Sequence, residues 1–332
     1  PISYHPQYIT EEVHNGKLQR SRTEVGDLIM NIVGPPLGKL AIIPTTLPQA
    51  NFNQAAVLIR PYKFKEVLVS YLKVYLEEMS EINSIATRGS AGQVNISLTQ
   101  SQNMRIPIPP LNEVRRIIEE VSKYDILIDS LKQNITDIQN LIAYTKSKIL
   151  DLAIHGKLVP QDPNDEPAIE LLKRINPDFT PCDNGHYTQL PEGWAICKMK
   201  QITSITNGKS QKNVETLNGI YPIYGSGGVI GRANQYLCIA GSTIIGRKGT
   251  INNPIFVEEH FWNVDTAFGL KANDAILDKY LYYFCLSFDF SKLDKSTAMP
   301  SLTKTSIGNV LIPIPPYKEQ ERIVAKIDMV LD

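Results

Sequence analysis

The sequence lacks the cysteine and histidine spacings that hold metal ions or disulfides. Its four cysteines lie far apart and form no Cys-x-x-Cys pair, and its five histidines do not fall at ligand spacings beside them. The cysteines are Cys182, Cys197, Cys238 and Cys285. A zinc site or a disulfide framework is therefore not expected, and we predict no metal and no cofactor.

The chain also lacks net charge and long apolar runs. Its 34 Lys and Arg residues balance 34 Asp and Glu residues, so any affinity for nucleic acid must come from local clusters of cations. No run approaches the length of a membrane span and no signal peptide opens the chain, which favours a cytoplasmic protein without membrane contact. A chain of 332 residues exceeds what one hydrophobic core usually organises, so we expect two domains.

The second half of the chain repeats the first at an offset of about 204 to 206 residues. The first copy contains Ser97–Gln100, Ile106–Pro110, Glu113, Arg116 and Ile117, and the second contains Ser301–Lys304, Ile312–Pro316, Glu319, Arg322 and Ile323. Upstream, Gly26–Ile29 matches Gly241–Ile244, Asn53 matches Asn263, and Tyr71-Leu72 matches Tyr280-Leu281. Two complete copies need more residues than the chain has, and the first residue is Pro1 rather than Met. We therefore expect truncation inside the first globular unit and, at the other end, inside a helix.

Between the copies, apolar residues recur at alternating steps of three and four, as in a coiled-coil heptad. This pattern predicts a helix from about Leu111 to Ala153, which at ~1.5 Å per residue would be roughly 65 Å long and would need a partner helix. A homodimer or packing on its own domain would also satisfy an isolated stripe. Because the same stripe begins again after the second Pro-rich run, the repeat favours an antiparallel pair within one chain. The residues predicted to pair the helices are Ile128, Leu131, Ile135, Ile138, Ile142, Ile323 and Ile327.

The remaining segments predict an α+β fold. Gly241–Gly246 and Pro254–Val257 have the pattern of short strands, and Asp278–Leu286 that of a helix with buried aromatics. A turn-rich linker at Asp162–Pro167 precedes a short helix, with Asp165 as a plausible N-cap. The predicted divisions are a first domain at 1–109, a central helix at 110–155, a linker at 156–189, a second domain at 190–315 and the start of a C-terminal helix at 316–332.

Several motifs stand in order along the chain: Ala153–Gln161 after the central helix, Leu190–Trp194 at the start of the second copy, Gly246–Gly249 in its middle, and Ser301–Thr303, Pro313–Pro316, Gln320 and Ile323 at its close. Taken together and in this order, they resemble the specificity subunits of type I restriction-modification systems, in which Leu190–Trp194 would open a target-recognition domain. The resemblance covers essentially the whole chain.

This resemblance implies a non-catalytic subunit with two target-recognition domains, separated by long helices that form an antiparallel coiled coil. Each domain would bind one half of a split site in double-stranded DNA, and the helices would fix the gap between the halves. Two methyltransferase subunits would dock on the helices, and a motor-nuclease subunit would join them.

Lys and Arg cluster locally where such a protein would contact DNA. Between residues 198 and 257, seven cations face a single acid, Glu215, and two of them stand between glycines at Gly246–Gly249. The alternative is that these glycines form tight turns and the cations are merely solvated. The residues predicted to contact DNA are Lys209, Lys212, Ser226, Arg232, Arg247 and Lys248 in the second copy, with Arg20, Arg22, Lys39, Arg88 and Ser90 in the analogous role in the first.

Two other functions compete with this interpretation. Ile314–Tyr317 is similar to the Asn/Asp-Pro-Pro-Tyr signature of adenine methyltransferases, but Ile314 cannot hydrogen-bond a target amino group, and no glycine-rich cofactor loop follows a strand. A nuclease lacks support because no acidic metal-ligand cluster stands beside a lysine. A two-headed coiled-coil adaptor that binds other proteins remains the main alternative, and steep salt dependence of DNA binding would distinguish the two.

Overall fold

The computed structural model describes residues 7–34, 37–78, 95–183, 187, 189–294 and 300–331. The chain divides into two compact units, Pro1–Ile135 (the first unit) and Thr136–Asp332 (the second unit). Each unit combines helices with antiparallel strands. The predicted α+β class with two domains is confirmed.

The first unit is a three-stranded antiparallel sheet covered by a helix. It contains α1 (Glu11–Asn15), a 3₁₀ helix (Gln19–Ser21), β1 (Leu28–Asn31), β2 (Leu40–Ile42), β3 (Ala56–Ile59), α2 (Lys65–Glu78) and α3 (Leu98–Gln102). Strand β1 is central and pairs with β2 and β3. Leu28 and Met30 alternate inward along β1 and pack in one buried cluster with Val69, Leu72 and Leu76 of α2.

Helix α4 spans Leu111–Ile154, which confirms the long helix between the domains. The five heptad residues between Ile128 and Ile142 named above are 47 to 61 % exposed. Ile323 and Ile327, in contrast, are fully buried in the core of the second unit, in a cluster that also contains Leu150 and Ala153 from the end of α4. Pairing along the exposed stripe therefore stays a prediction.

The second unit contains more strands than the first, arranged in three sheets. Its elements are α5 (Ala168–Ile175), β4 (Ala195–Lys198), α6 (Met199–Ile202), β5 (Thr203–Asn207), β6 (Tyr221–Gly225), β7 (Gly228–Ala233), β8 (Ser242–Gly246), β9 (Ile255–Val257), β10 (Trp262–Asn263), β11 (Ala267–Ala272), α7 (Asp278–Ser287), a 3₁₀ helix (Phe290–Leu293), α8 (Lys304–Gly308), β12 (Leu311–Ile314) and α9 (Tyr317–Leu331). The strand orders are β5-β11-β8-β9, β10-β6-β7 and β12-β4. The four-stranded sheet packs against α7 as the sheet of the first unit packs against α2.

The same hydrogen bond closes each copy of the repeat. The Tyr71 hydroxyl on α2 donates to the Pro107 carbonyl at 2.7 Å, and the Tyr280 hydroxyl on α7 donates to the Pro313 carbonyl at 2.9 Å. Both rings are buried, and burial raises the pKa of both phenols, which keeps them protonated as donors. Both prolines open a Pro-Ile-Pro-Pro run that leads into a helix.

A second shared contact corrects the alignment of the repeat. The Ile96 amide donates to the Ile32 carbonyl at 2.9 Å, and the Leu302 amide donates to the Arg247 carbonyl at 2.8 Å. The next residue N-caps a short helix in each unit, Ser97 in the first and Thr303 in the second. Ser97 therefore matches Thr303 rather than Ser301, because position within the capping box decides the equivalence and letter identity does not.

Buried polar side chains fix the start of α9. The Glu319 carboxylate accepts hydrogen bonds from Gln161 at 2.8 Å and from the Trp194 indole at 3.0 Å, and burial raises its pKa. Gln320 accepts from the Leu277 amide at 2.8 Å and donates to two carbonyls. Asp165 accepts from Arg322 at 2.6 Å. Asp165 is therefore not the N-cap of α5, which is Pro167, and the earlier expectation for it was wrong.

A buried carboxylate holds the first sheet to its helix. Asp27, whose side chain is fully buried, accepts hydrogen bonds from Arg60 at 2.5 and 2.8 Å and pairs with Lys65 at 2.7 Å. Burial alone would raise the pKa of Asp27, but these cations and the Glu24 amide outweigh it and lower the pKa to about 2.

In the second unit, the carboxylate that pairs with the cation at the end of the corresponding strand comes from a different element. Lys271, one residue after Leu270 on β11, occupies the place that Arg60 has after Ile59 on β3. Its ammonium pairs with Asp278 of α7 and donates to the Ala240 carbonyl at 3.1 Å. The position of Asp27 is taken by Ser242, which is also buried.

We predict that Asp27→Asn destabilises the first unit by about 2 to 4 kcal/mol, because it leaves two cations without their buried partner. Since the pKa of Asp27 is lowered on folding, its stabilisation is present above about pH 4 and is lost as the pH falls towards 2. Hydrogen exchange of the β1 amides at pH 7 and at pH 3 measures the effect in this unit alone. Glu24→Gln, at a 56 % exposed carboxylate, is the matched control and should change little. Equal protection of parent and Asp27→Asn at pH 7 would contradict the prediction.

Candidate nucleic-acid interface

The segment Trp262–Ala267 organises one edge of the second unit. Its Asn263 carbonyl accepts from the Lys209 amide at 3.0 Å, and its Val264 amide donates to Tyr224 of β6 at 2.9 Å. Its Thr266 carbonyl accepts from the Arg247 amide at 2.7 Å. Three chain segments that are far apart in sequence are thus fixed to one short stretch of backbone.

The tip of the β6–β7 hairpin lies beside the turn that follows β8. A Cβ atom placed on Gly249 would be 3.9 Å from the Ser226 hydroxyl oxygen. Gly228 and Gly249 adopt φ values of 128° and 77°, which favour glycine, and space is open around Gly227 and Gly228. Two glycine-containing turns are therefore neighbours, and a ligand can approach their backbone closely.

The predicted cations Arg247 and Lys248 project from this turn. Arg247 is half-buried, with its guanidinium 5.8 Å from the centroid of the Phe268 ring and 3.5 Å from the Asp265 carbonyl oxygen. Lys248 and Lys209 are exposed. The ring and the carbonyl restrict the Arg247 side chain, whereas the two lysines extend into solvent, as suits contacts with phosphate.

The other two predicted cations of this unit lie elsewhere on it. Arg232 lies on β7 opposite Pro222 and donates to the Ile220 carbonyl at 3.3 Å, towards the end of the hairpin away from Ser226. Lys212 is exposed in the turn that precedes Val214. The structure thus groups Lys209, Ser226, Arg247 and Lys248, but places Arg232 and Lys212 apart from them.

In the first unit, the predicted cations do not occupy the positions that the repeat assigns to Arg247 and Lys248. The matching residues there are Ile32 and Val33. Arg20, Arg22 and Lys39 therefore stand at other positions of the fold, and their contact with DNA stays a prediction. Apolar residues stand at the two matching positions of the first unit. Counting Lys and Arg along the sequence could not show this.

The cations of the first unit have other surroundings. Arg22 donates to the His14 carbonyl at 3.1 Å and to the Asn15 side chain, so it caps the end of α1. Arg20 and Lys39 are exposed, Arg20 on the 3₁₀ helix and Lys39 just before β2. Arg88 and Ser90 lie outside the described residues.

Sequence reasoning missed the organising role of Trp262–Ala267. The Trp262 indole donates to the Lys209 carbonyl at 3.0 Å, and the buried Asn263 amide donates to the Ala267 carbonyl at 3.1 Å. Tyr224 is half-buried beside this segment, and burial, with the nearby Glu259 carboxylate, raises its pKa. The one available signal was the match between Asn53 and Asn263. The strand registers make Asn53 equivalent to Val264 instead, so that match is off by one residue.

Two features are absent from the described part of the chain. No group of three or more His, Cys, Asp or Glu side chains could hold a metal ion there. No helix in those ranges is both long and apolar enough to cross a bilayer.

Comparison with known proteins gives a consistent result. The sequence matches the family described as Type I restriction modification DNA specificity domain twice, over residues 15–140 and 191–332. It is 26 % identical to the EcoAI type I specificity subunit of Escherichia coli, over 72 % of this chain and 55 % of that subunit. It is 21 % identical to the putative MjaX specificity subunit of Methanocaldococcus jannaschii, over 97 % of this chain and 75 % of that one.

The fold is also similar to a solved structure. A chain from a structural study of complex assembly and conformational transition of the type I R-M system superimposes with a TM-score of 0.64 at 20 % identity, covering 93 % of this chain and 75 % of that chain. This chain spans little more than half the length of the EcoAI subunit. Because one family match begins in each unit and the two together cover most of the residues, the chain belongs to the family of type I restriction-modification DNA specificity domains and contains two copies of that domain.

Proposed function

We propose that this chain is the DNA sequence-specificity subunit of a type I restriction-modification enzyme, in which each unit binds one half of a split site in double-stranded DNA. The observation that carries the proposal is the duplication: one DNA-specificity domain occurs twice, with a 44-residue helix between the copies. Two DNA-specificity domains joined by a helix suit a DNA site in which two recognised half-sites are separated by a gap of unrecognised bases. A 44-residue helix is about 66 Å long at ~1.5 Å per residue.

In the second unit, the edge formed around Trp262–Ala267 contacts the DNA in this proposal. Lys209 and Lys248 bind phosphates, which sets position on the duplex without selecting a sequence. Arg247, restricted by Phe268, is the side chain best suited to reach a base edge, because a guanidinium can bond a guanine at two atoms. The open glycine turn beside Ser226 lets backbone amides approach the duplex.

Catalysis belongs to partner subunits in this proposal. Two methyltransferase subunits dock along the helices and a motor-nuclease subunit joins them, while this chain supplies recognition only. The exposed apolar stripe between Ile128 and Ile142 supports a docking or pairing role, since side chains of this size at 47 to 61 % exposure are unusual for a free surface in such a continuous row. The location of this assembly in the cytoplasm follows from the same proposal.

The proposal predicts that the chain directs methylation to one split motif. Co-expression of the full-length protein with the methyltransferase subunit of the adjacent gene, followed by genome-wide mapping of methylated adenine, should give a single bipartite sequence with a fixed gap. The absence of both a stable complex and methylation would instead favour the two-headed adaptor.

We predict that Arg247→Ala weakens binding to the half-site of the second unit by roughly tenfold or more, because one desolvated base contact is worth about 1 to 3 kcal/mol. Lys248→Ala should instead lower affinity for all sequences alike and reduce the salt dependence by about one counterion. Fluorescence anisotropy with cognate and scrambled duplexes across a salt series measures both effects. Lys318→Ala, at an exposed lysine on α9, is the control. If Arg247→Ala matches the parent at every salt concentration, Arg247 is not a contact.

We predict that the double variant Ile135→Asp, Ile142→Asp abolishes assembly without unfolding the chain. Both side chains are more than half exposed, so the carboxylates are tolerated in the isolated chain but cannot be buried against a second helix. Circular dichroism melting of the variant and its co-purification with the methyltransferase subunit report the two effects separately. Ile135→Leu, Ile142→Leu keeps the apolar surface and should assemble normally. Intact assembly of the aspartate variant would count against a role for the stripe.

A further inference from the structure

The turn that leads into β3 in the first unit is fixed by its own backbone. The Ala56 amide donates to the Asn53 carbonyl at 3.2 Å, and the Asn53 side-chain oxygen accepts from the Ala55 amide at 3.0 Å. The Ala55 carbonyl accepts from the Ile32 amide at 2.8 Å, which ties the turn to the residue after β1. Gln54 is the second residue of this turn, and it is exposed.

The turn that leads into β11 in the second unit has the same backbone frame. The Ala267 amide donates to the Val264 carbonyl at 2.9 Å, and the Thr266 carbonyl accepts from the Arg247 amide at 2.7 Å. Asp265 is the second residue of this turn, and it is also exposed. The pairing of β3 with β1 and of β11 with β8 gives the two turns the same register.

Gln54 and Asp265 are therefore equivalent residues, and neither uses its side chain within the fold. Over the residues that the structure describes, the Gln54 amide makes no hydrogen bond, and the Asp265 carboxylate makes neither a hydrogen bond nor an ion pair. The backbone bonds hold each turn without help from this position. Both side chains are thus available to an external partner.

In the second unit, this position lies on the edge assigned to DNA. The Asp265 carbonyl oxygen is 3.5 Å from the Arg247 guanidinium, and the Thr266 carbonyl accepts from the amides of both Arg247 and Lys248. A carboxylate on a surface that contacts phosphates weakens binding to every duplex, because like charges repel. A hydrogen bond from a base amino group to the carboxylate offsets this repulsion, and such a bond depends on the sequence.

The two side chains differ in the base that each one can select. A glutamine side chain offers both a donor and an acceptor, which match N7 and the N6 amino group of adenine in the major groove. An aspartate only accepts, which matches the N4 amino group of cytosine. One position of the shared frame can therefore select different bases in the two units without any change in the backbone.

We propose that this turn carries a base-selecting residue in both units, so that Gln54 selects an adenine in one half-site and Asp265 selects a cytosine in the other. The proposal rests on the proposed function and names the bases at one position of each half-site. It also gives the first unit a base contact, although Ile32 and Val33 stand there in place of the two cations of the second unit.

The test is a map of adenine methylation for variants of the full chain co-expressed with the methyltransferase subunit. Gln54→Ala should relax the preference at one A·T pair of one half-site, at a pair other than the methylated one. Asp265→Ala should relax the preference at one G·C pair of the other half-site. In binding assays of the assembled complex, discrimination against a replacement of that pair should fall from about tenfold or more to within about twofold.

An exchange of residue types tests the assignment of bases. Asp265→Gln copies the first unit, so it should move the preference at the relaxed G·C pair towards A·T. Glu66→Ala and Asp274→Ala are the matched controls, since both are exposed acids that lie beyond the opposite ends of β3 and β11. Both controls should leave the motif unchanged. All variants should melt as the parent does by circular dichroism, because the replaced side chains are exposed.

The outcomes separate this proposal from the one on which it rests. If the parent methylates a split motif and either alanine variant methylates the same motif, that base contact is overturned and the proposed function stands. If Asp265→Ala binds all duplexes more tightly with unchanged discrimination, the carboxylate is only solvated and the proposal is overturned. A preference for G·C that persists in Asp265→Gln contradicts the assignment of cytosine. If the parent methylates no split motif, both proposals fail.

Discussion

The hydrogen bond from a buried tyrosine to a proline carbonyl is the constraint on which each unit depends. A Pro-rich run has few amides to donate, so it cannot be fixed by an ordinary ladder on both sides. Its carbonyls still need partners when they are buried. Tyr71 and Tyr280 meet that need from the helix that covers the sheet, and each bond sets where the sheet domain ends and the long helix begins. In the second unit, Glu319 and Gln320 then fix the first turn of that helix through buried polar contacts.

The two units share a frame but differ in the parts that would face other molecules. The strand order around β1 matches that around β8, and the N-caps Ser97 and Thr303 are equivalent. At the turn after the central strand, however, one unit has Ile32 and Val33 where the other has Arg247 and Lys248. Under the proposed function, different side chains on a common frame would let the two units bind different half-sites, because readout depends on the side chains that reach the groove.

Much of the fold could be predicted from the sequence because local residue patterns determine its helices and strands. The heptad predicted a helix from Leu111 to Ala153, and the structure ends it one residue later. The predicted strands at Gly241–Gly246 and Pro254–Val257 and the helix from Asp278 correspond to β8, β9 and α7.

The candidate site could be predicted only in part, because its residues are brought together by contacts between segments that are distant in the sequence. The glycines around Arg247 and Lys248 predicted a turn, and the structure has one after β8. Nothing in the local pattern showed that Thr266 anchors it, that Arg22 caps a helix, or that Asp165 pairs with Arg322 rather than capping α5.

The carboxylate that pairs with the cation at the end of β3 or β11 lies at a different place in each unit. Arg60 pairs with Asp27, the residue just before the central strand, whereas Lys271 pairs with Asp278 at the start of the covering helix. A hybrid unit that combined the strands of the first with the helix of the second would hold two acids around one cation. The reverse hybrid would hold two cations, Lys271 and Lys65, with no acid between them. An exchange of segments between the copies would keep each of these cations paired only if sheet and helix moved together. The whole unit, rather than the single strand or helix, is therefore the piece that can be exchanged without leaving a charge unpaired.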